Sequence, residues 1–408
     1  MDQKMTERPR RSFLGLDRNV VALGWVSLFM DVSSEMLYPL IPLFLTETLG
    51  ASRTVLGLIE GVGESLASLW KIASGWISDR IGKRKLLILG GYGLSTASRP
   101  ILALAGGWPA VLFFRIFDRT GKGIRTAPRD AIVAESTQEK RLGLSFGFQR
   151  TMDTLGAVLG PLIAWLLLAR FERSYRLVFW TSLAPGVVAL LVIALFVRET
   201  AGRTATPVNR EGAPERVPFS FFLFSADFKR FLMVATLFML GNVSTTFLIL
   251  RAKQGGIPDA RVTLVYLTFN LIYAFSSLPA GWIADRFGKK RVILAGYLLF
   301  AVVFFLFAMP VPTWAIWLLF ALYGLYMGMT EGIQRAFVAT LIPKEYKATA
   351  YGAYHTLIGM AAFPASFIGG VLWDQLGSPA LFIYGAGMAG LASALFVGFF
   401  YRPATPSS

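Results

Sequence analysis

Gly75-Trp76-Ile77-Ser78-Asp79-Arg80-Ile81-Gly82-Lys83-Arg84-Lys85 interrupts two long apolar runs with a tight, strongly basic turn. The pattern returns as Gly281-Trp282-Ile283-Ala284-Asp285-Arg286-Phe287-Gly288-Lys289-Lys290-Arg291. Asp79 and Asp285 are 206 positions apart, and 206 also separates Arg129 from Arg335. A motif repeated at half the chain length in the same apolar setting marks a duplicated membrane domain.

Composition leads to the same class. The chain is 55% hydrophobic and 16% charged, more apolar surface than a soluble fold can bury. Its net charge of +16 raises nucleic acid as a partner, but the basic residues cluster in alternate loops, the pattern that orients membrane helices. Arg80, Lys83, Arg84, Lys85, Arg286, Lys289, Lys290 and Arg291 fall in loops assigned to the cytoplasm; the outer loops carry fewer, among them Arg53, Arg170 and Arg261. Both termini are therefore expected inside a multi-pass protein of the inner (plasma) membrane. Residues 1–19 read as a cytoplasmic tail without an apolar signal core. The absence of cysteine excludes disulfides, thiolate ligands and a thiol redox switch.

Both copies of the turn resemble the loop between helices 2 and 3 of the major facilitator superfamily, which reads roughly G-x-L-x-D-R-x-G-R/K-R/K, with Ile77 and Ile283 in its apolar slot. The resemblance covers about residues 20 to 400. It implies an all-α integral membrane protein, with twelve transmembrane helices in two pseudo-symmetric six-helix bundles and substrate crossing between them by alternating access. The expected divisions are a tail (1–19), an N-terminal bundle (20–197), a cytoplasmic linker (198–228), a C-terminal bundle (229–401) and a tail (402–408). In the resembling family the loop is a latch stabilising the outward-facing state. That assigns a gating role to Gly75, Asp79, Arg80, Gly82, Lys83 and Arg84, and to Gly281, Asp285, Arg286 and Gly288.

The fourth span is the most charged. Arg115, Arg119, Lys122, Arg125 and Arg129 follow at steps of 4, 3, 3 and 4, which puts all five on one stripe of a helix. Residues 119–127 resemble the family's helix-4 pattern R-x-x-Q-G-x-G-x-A, with Lys122 standing for the Gln and Arg125 for the second Gly. In the fifth span, Gly156-Ala157-Val158-Leu159-Gly160-Pro161 partly matches the G-x-x-x-G-P-x-x-G-G signature of proton-coupled exporters and lacks its trailing Gly pair. Small residues four apart also let any membrane helices pack closely.

An ionised group at mid-bilayer costs at least about 2.5–3.5 kcal/mol on insertion scales, so the charges of the first five spans must pair or face a wet cavity. Asp31 is the leading proton carrier: it lies near the midplane, where desolvation favours the neutral carboxyl. Glu35 is one turn on, and Glu64 and Asp153 follow as further coupling candidates. Arg119, Lys122, Arg125 and Arg150 are candidate substrate contacts from the first half. Asn242, Tyr266, Asn270, Tyr273, Tyr323, Tyr326 and Glu331 are candidates from the second, which replaces many of the first half's charges with aromatic and amide groups. The bland reading of any one of these charges is a salt bridge holding the bundle together, and Glu331 with Arg335 is most simply such a pair.

Gly121-Lys122-Gly123 lies within a membrane span and lacks nucleotide-cradle spacing; no metal cluster and no cofactor is expected. The chain is not expected to be an enzyme. The expectation is a monomeric secondary active transporter whose partners are protons, a small-molecule substrate and the lipid bilayer, with no nucleic acid. Proton-coupled efflux of a small amphipathic organic compound leads. The alternatives are proton-coupled uptake or exchange of an organic anion, and a non-transporting membrane sensor on the same fold.

Overall fold

The computed structural model describes residues 16–137, 142–171, 174–199, 225–341 and 347–401. Most of the expected linker and both outer tails (200–224, 1–15 and 402–408) lie outside the described residues. The first bundle contains α1 (Arg18–Leu37, continued by Ile41–Leu43 and a π-helical turn, Phe44–Thr48), α2 (Arg53–Ile81), α3 (Arg84–Ala97 and Arg99–Ala103), α4 (Trp108–Glu135), α5 (Leu142–Arg170) and α6 (Tyr175–Thr181 and Leu183–Phe196). The second contains α7 (Ala226–Gly241 and Thr245–Gln254), α8 (Asp259–Phe287), α9 (Lys289–Ala308), α10 (Thr313–Thr340), α11 (Lys347–Leu376) and α12 (Ser378–Phe400). These are twelve membrane spans in two bundles of six.

Among the described residues, nine of the spans are long and apolar enough to cross a bilayer by themselves. The other three are α2, α3 and α4, where Glu60, Glu64, Lys71, Arg99 and the α4 cations lower the hydropathy. They belong in the membrane because Glu60 pairs with Arg115, Glu64 with Arg119 and Arg99 with Asp118 inside the bundle, which lowers the cost of immersion.

Local sequence sets the breaks. Pro39 and Pro42 remove backbone donors from α1, which restarts at Ile41. In α7 the helix stops at Gly241 and restarts under Ser244, whose hydroxyl accepts from the Thr246 amide. The second glycine of each basic turn has positive φ, 68° at Gly82 and 99° at Gly288. A side chain is strained there, which accounts for glycine at the same place in both copies.

Within the first bundle α1 packs on α5 and α6, and α4 on α2 and α3; in the second, α8 packs on α10, and α9 on α10 and α12. The bundles meet along two seams, α2 with α11 and α5 with α8. The seams exchange under the internal repeat, because α2 corresponds to α8 and α5 to α11. The α2–α11 seam is tight from the end opposite the basic turns: a Cβ at Gly57 would lie 2.1 Å from the Ser366 carbonyl oxygen, and one at Gly61 2.8 Å from the Phe363 Cα. Ser65 still reaches the Gly359 carbonyl at 2.9 Å. Beyond it Lys71 and His355 are both exposed, and among the described residues the nearest neighbour of a Cβ at Gly75 is Ala127 of its own bundle, 3.6 Å away. Among the described residues the α2–α11 seam is closed at the far end and opens toward the basic turns.

Candidate functional site

The five-cation stripe of α4 spans about 120° at 100° per residue, wide enough to face three neighbours, and its members separate accordingly. Arg115 pairs with Glu60 of α2, and Arg119 with Glu64 of α2 at 3.1 Å. Arg125 turns to α3, donating to Ser95 Oγ at 2.6 Å with its guanidinium 4.4 Å from the Tyr92 ring centroid. Arg129 pairs with Asp130 at 3.0 Å and reaches Ser27 of α1 at 3.3 Å. Lys122 is exposed to the cleft and, among the described residues, its ammonium makes no hydrogen bond or ion pair. The stripe that sequence spacing treats as one unit is four anchored cations and one free one.

Lys122 shares its surroundings with the coupling candidates. The charges acting on Asp31 come from Asp153, Glu35, Lys122 and Arg125. Among the described residues the Asp31 carboxyl makes no hydrogen bond, and one Asp153 carboxylate oxygen is buried without a partner. Glu35 accepts from the Tyr266 hydroxyl at 3.0 Å, a bond between the bundles, and Tyr38 stacks on the Tyr266 ring. Asn270 lies one turn along α8 from Tyr266, half-buried. Gly156 and Gly160 bring α5 against α1 at the turns carrying these acids: their Cβ positions lie 2.7 Å from the Asp31 Cβ and 2.8 Å from the Glu35 Cβ. The glycine spacing of α5 therefore has a packing cause, and that packing holds Asp153 beside Asp31.

Nearer the basic turns, Arg150 donates to the Tyr273 hydroxyl at 3.0 Å, Tyr273 donates to Glu331, and Glu331 pairs with Arg335 at 2.9 Å. Asn242, Tyr323 and Tyr326 are also drawn together, with Asn242 donating to the Tyr326 hydroxyl at 3.0 Å. Both tyrosines, each 2% exposed, lie within an aromatic core with Phe238, Phe300 and Phe304; in this arrangement they do not face the cleft.

The two basic turns are built alike. Arg80 lies over Trp76 at 5.3 Å and Arg286 over Trp282 at 5.4 Å, so each arginine caps the ring one turn back. Asp285 pairs with Lys289 at 3.0 Å. Arg84 pairs with Glu135, and the Arg84 amide donates to Glu199 at 2.9 Å. The Asp79 side chain lies outside the described residues.

Sequence reasoning missed the closure of the far end. Asp374, in the last turn of α11, accepts from the Arg53 amide at 3.0 Å and from the Thr54 amide and hydroxyl, each at 2.7 Å. It caps α2 from the opposite bundle, satisfying donors that a helix N-terminus leaves open. Lys253 bridges Glu47 of α1 at 3.4 Å and Asp259 of α8, while Tyr175 of α6 donates to Asp259 at 2.8 Å. A lone Asp near a helix C-terminus carries no local signal of a capping partner more than 300 positions away.

Two similar bundles meeting along two seams around a charged cleft have the architecture of a membrane carrier. The profile of the Major Facilitator Superfamily matches residues 23–255 and 231–408, and the chain belongs to that family. It is 33% identical over 401 residues to the uncharacterized MFS-type transporter MJ1317 of Methanocaldococcus jannaschii, covering 97% of each chain. It is 30% identical over 305 residues to the multidrug resistance protein MdtH of Photorhabdus laumondii, covering 72% of this chain and 69% of that one. A crystal structure of a POT family transporter in complex with 5-aminolevulinic acid superposes with a TM-score of 0.78 at 15% identity, over 96% of this chain and 98% of that chain, a likeness of fold. Members of the family move solutes across membranes and are not enzymes.

Proposed function

We propose that the chain is a proton-coupled exporter of a small amphipathic organic compound. The observation that carries this reading is the cluster of Asp31, Glu35 and Asp153 at mid-span around one unanchored cation, Lys122. Carboxyl groups crowded together favour sharing a proton, and Asp31 has no fixed partner to prevent its release. The bond from Tyr266 to Glu35 joins that protonation to the bundles' relative position, because a neutral Glu35 accepts more weakly. The basic turns mark the cytoplasmic side, so the cleft in this arrangement loads from the cytoplasm of an inner or plasma membrane. The likeness to a multidrug resistance protein supports efflux, and one chain supplies both bundles, so a monomer suffices.

The test is proton-driven accumulation in inside-out vesicles. Asp31→Asn is nearly isosteric; it should abolish accumulation against a gradient while downhill exchange persists. Accumulation retained by Asp31→Asn would remove Asp31 from the proton path. Exchange or uptake of an organic anion is the second reading, favoured by the free ammonium of Lys122, and right-side-out vesicles separate it by direction.

A further inference from the structure

Gly324, Gly328 and Gly332 of α10 are four apart and share the face turned to α8. The first two are close contacts: a Cβ at Gly324 would lie 2.5 Å from the Phe269 carbonyl oxygen, and one at Gly328 2.1 Å from Ser276 Oγ. At Gly332, and at Gly281 across from it on α8, a Cβ would meet nothing within 4 Å. The helices splay there and leave a cavity of about 390 Å³. Small side chains leave it unfilled, while its rim is cationic: Arg150 from α5, Arg335 from α10 and Lys289 from α9, against Asp285. Lys289 is matched to Asp285 and Arg335 to Glu331. Arg150 is exposed and, among the described residues, makes one side-chain hydrogen bond, to the neutral Tyr273 hydroxyl. Most of its five donors remain free.

We infer that this cavity binds a small amphipathic anion, its carboxylate or sulfonate on Arg150 and its apolar body in the slot between α8 and α10. A guanidinium fork matches such planar or tetrahedral oxyanions, and the volume is that of a small-molecule site. The inference rests on the transporter reading above and names the charge of the compound carried. Because Arg150 belongs to one bundle and the slot to the other, an occupant touches both halves and favours their present arrangement.

The experiment is calorimetric titration of the full chain in phosphatidylcholine nanodiscs with 1-naphthoate and its neutral counterpart 1-naphthamide. The acid should bind at least about tenfold more tightly, and Arg150→Gln should erase that difference, as expected for one lost charge-assisted bond. Gly332→Leu puts a side chain into the slot where a Cβ meets nothing within 4 Å and should weaken acid and amide alike by about tenfold or more. Should Gly332→Leu melt early, the acid–amide difference in Arg150→Gln decides alone. Equal affinity of wild type for both compounds overturns the inference. So does unchanged binding in a normally melting Gly332→Leu, or displacement of naphthoate by phosphatidylglycerol in the nanodisc, which would make the occupant a lipid. No gradient is present in this titration, so its failure and a failure of proton-driven accumulation are separate results.

Discussion

Tyr266 and Glu35 are joined across the two bundles by a 3.0 Å hydrogen bond, with Tyr38 stacked on the same tyrosine ring. One partner is a carboxylate in the acid cluster and the other belongs to the wall that must move. Tyr266→Phe keeps the stack and removes the bond. A hydrogen bond to a charged group contributes about 1.5–3 kcal/mol, so the balance between the two arrangements should shift roughly 10- to 150-fold toward opening of the far end. The chain has no cysteine, so spin labels on Gly106→Cys and Leu376→Cys, at exposed far-end positions of opposite bundles, report the distance directly. An unchanged distance distribution in Tyr266→Phe would mean the bond does not hold the bundles.

Asp374→Ala leaves the first amides of α2 without their cap from the other bundle. Loss of an N-cap costs about 0.5–2 kcal/mol, here charged entirely to the far-end-closed arrangement. The same label pair should show the open population rising roughly 2- to 30-fold. Melting temperature should barely change, since each bundle is intact. A large drop in melting with no change in distance would make Asp374 a stabilising residue only.

Lys122→Gln places at this position the residue of the family's helix-4 pattern and removes the one unanchored cation of α4. If the Lys122 ammonium contacts the substrate, as in the second reading above, an anionic one should bind about 10- to 150-fold more weakly, the loss of one charge-assisted bond, while neutral compounds bind as before. If Lys122 instead balances the acids around it, the variant melts early for every ligand, and adding Asp31→Asn restores it. Thermal melts and titrations on the single and double variants distinguish the two outcomes.

Gly156→Val tests the contact that presents Asp31 and Asp153 to each other. Its side chain would collide with the Asp31 Cβ and the Leu28 carbonyl, and overpacking of this kind costs about 1–3 kcal/mol. Gly147→Ala, on the same helix where a Cβ meets nothing within 4 Å, should melt normally. Equal melting of the two variants would argue that α1 and α5 are not held this closely.

The fold was legible in the chain because its evidence is periodic or repeated. Apolar spans, a motif returning after 206 positions and a glycine that only a left-handed turn requires are properties of a few neighbouring residues each. The candidate site was legible as an inventory: Asp31, Glu35, Asp153, Lys122, Arg150 and Tyr266 could be named as polar groups that a bilayer does not tolerate without cause. What the sequence could not assign was partnership. Five cations at helical spacing look equivalent along one helix; packing gave Arg115 and Arg119 to α2, Arg125 to α3 and Arg129 to α1, leaving Lys122 in the cleft. Asp374 meets Arg53 across 321 positions, and Tyr266 meets Glu35 across 231. Such pairs depend on how two bundles lean on each other, and which end is closed is a choice between arrangements of the same local structure. Helix and turn follow from short-range backbone geometry, whereas the pairing of buried charges is settled by which helices become neighbours, and that is decided in three dimensions.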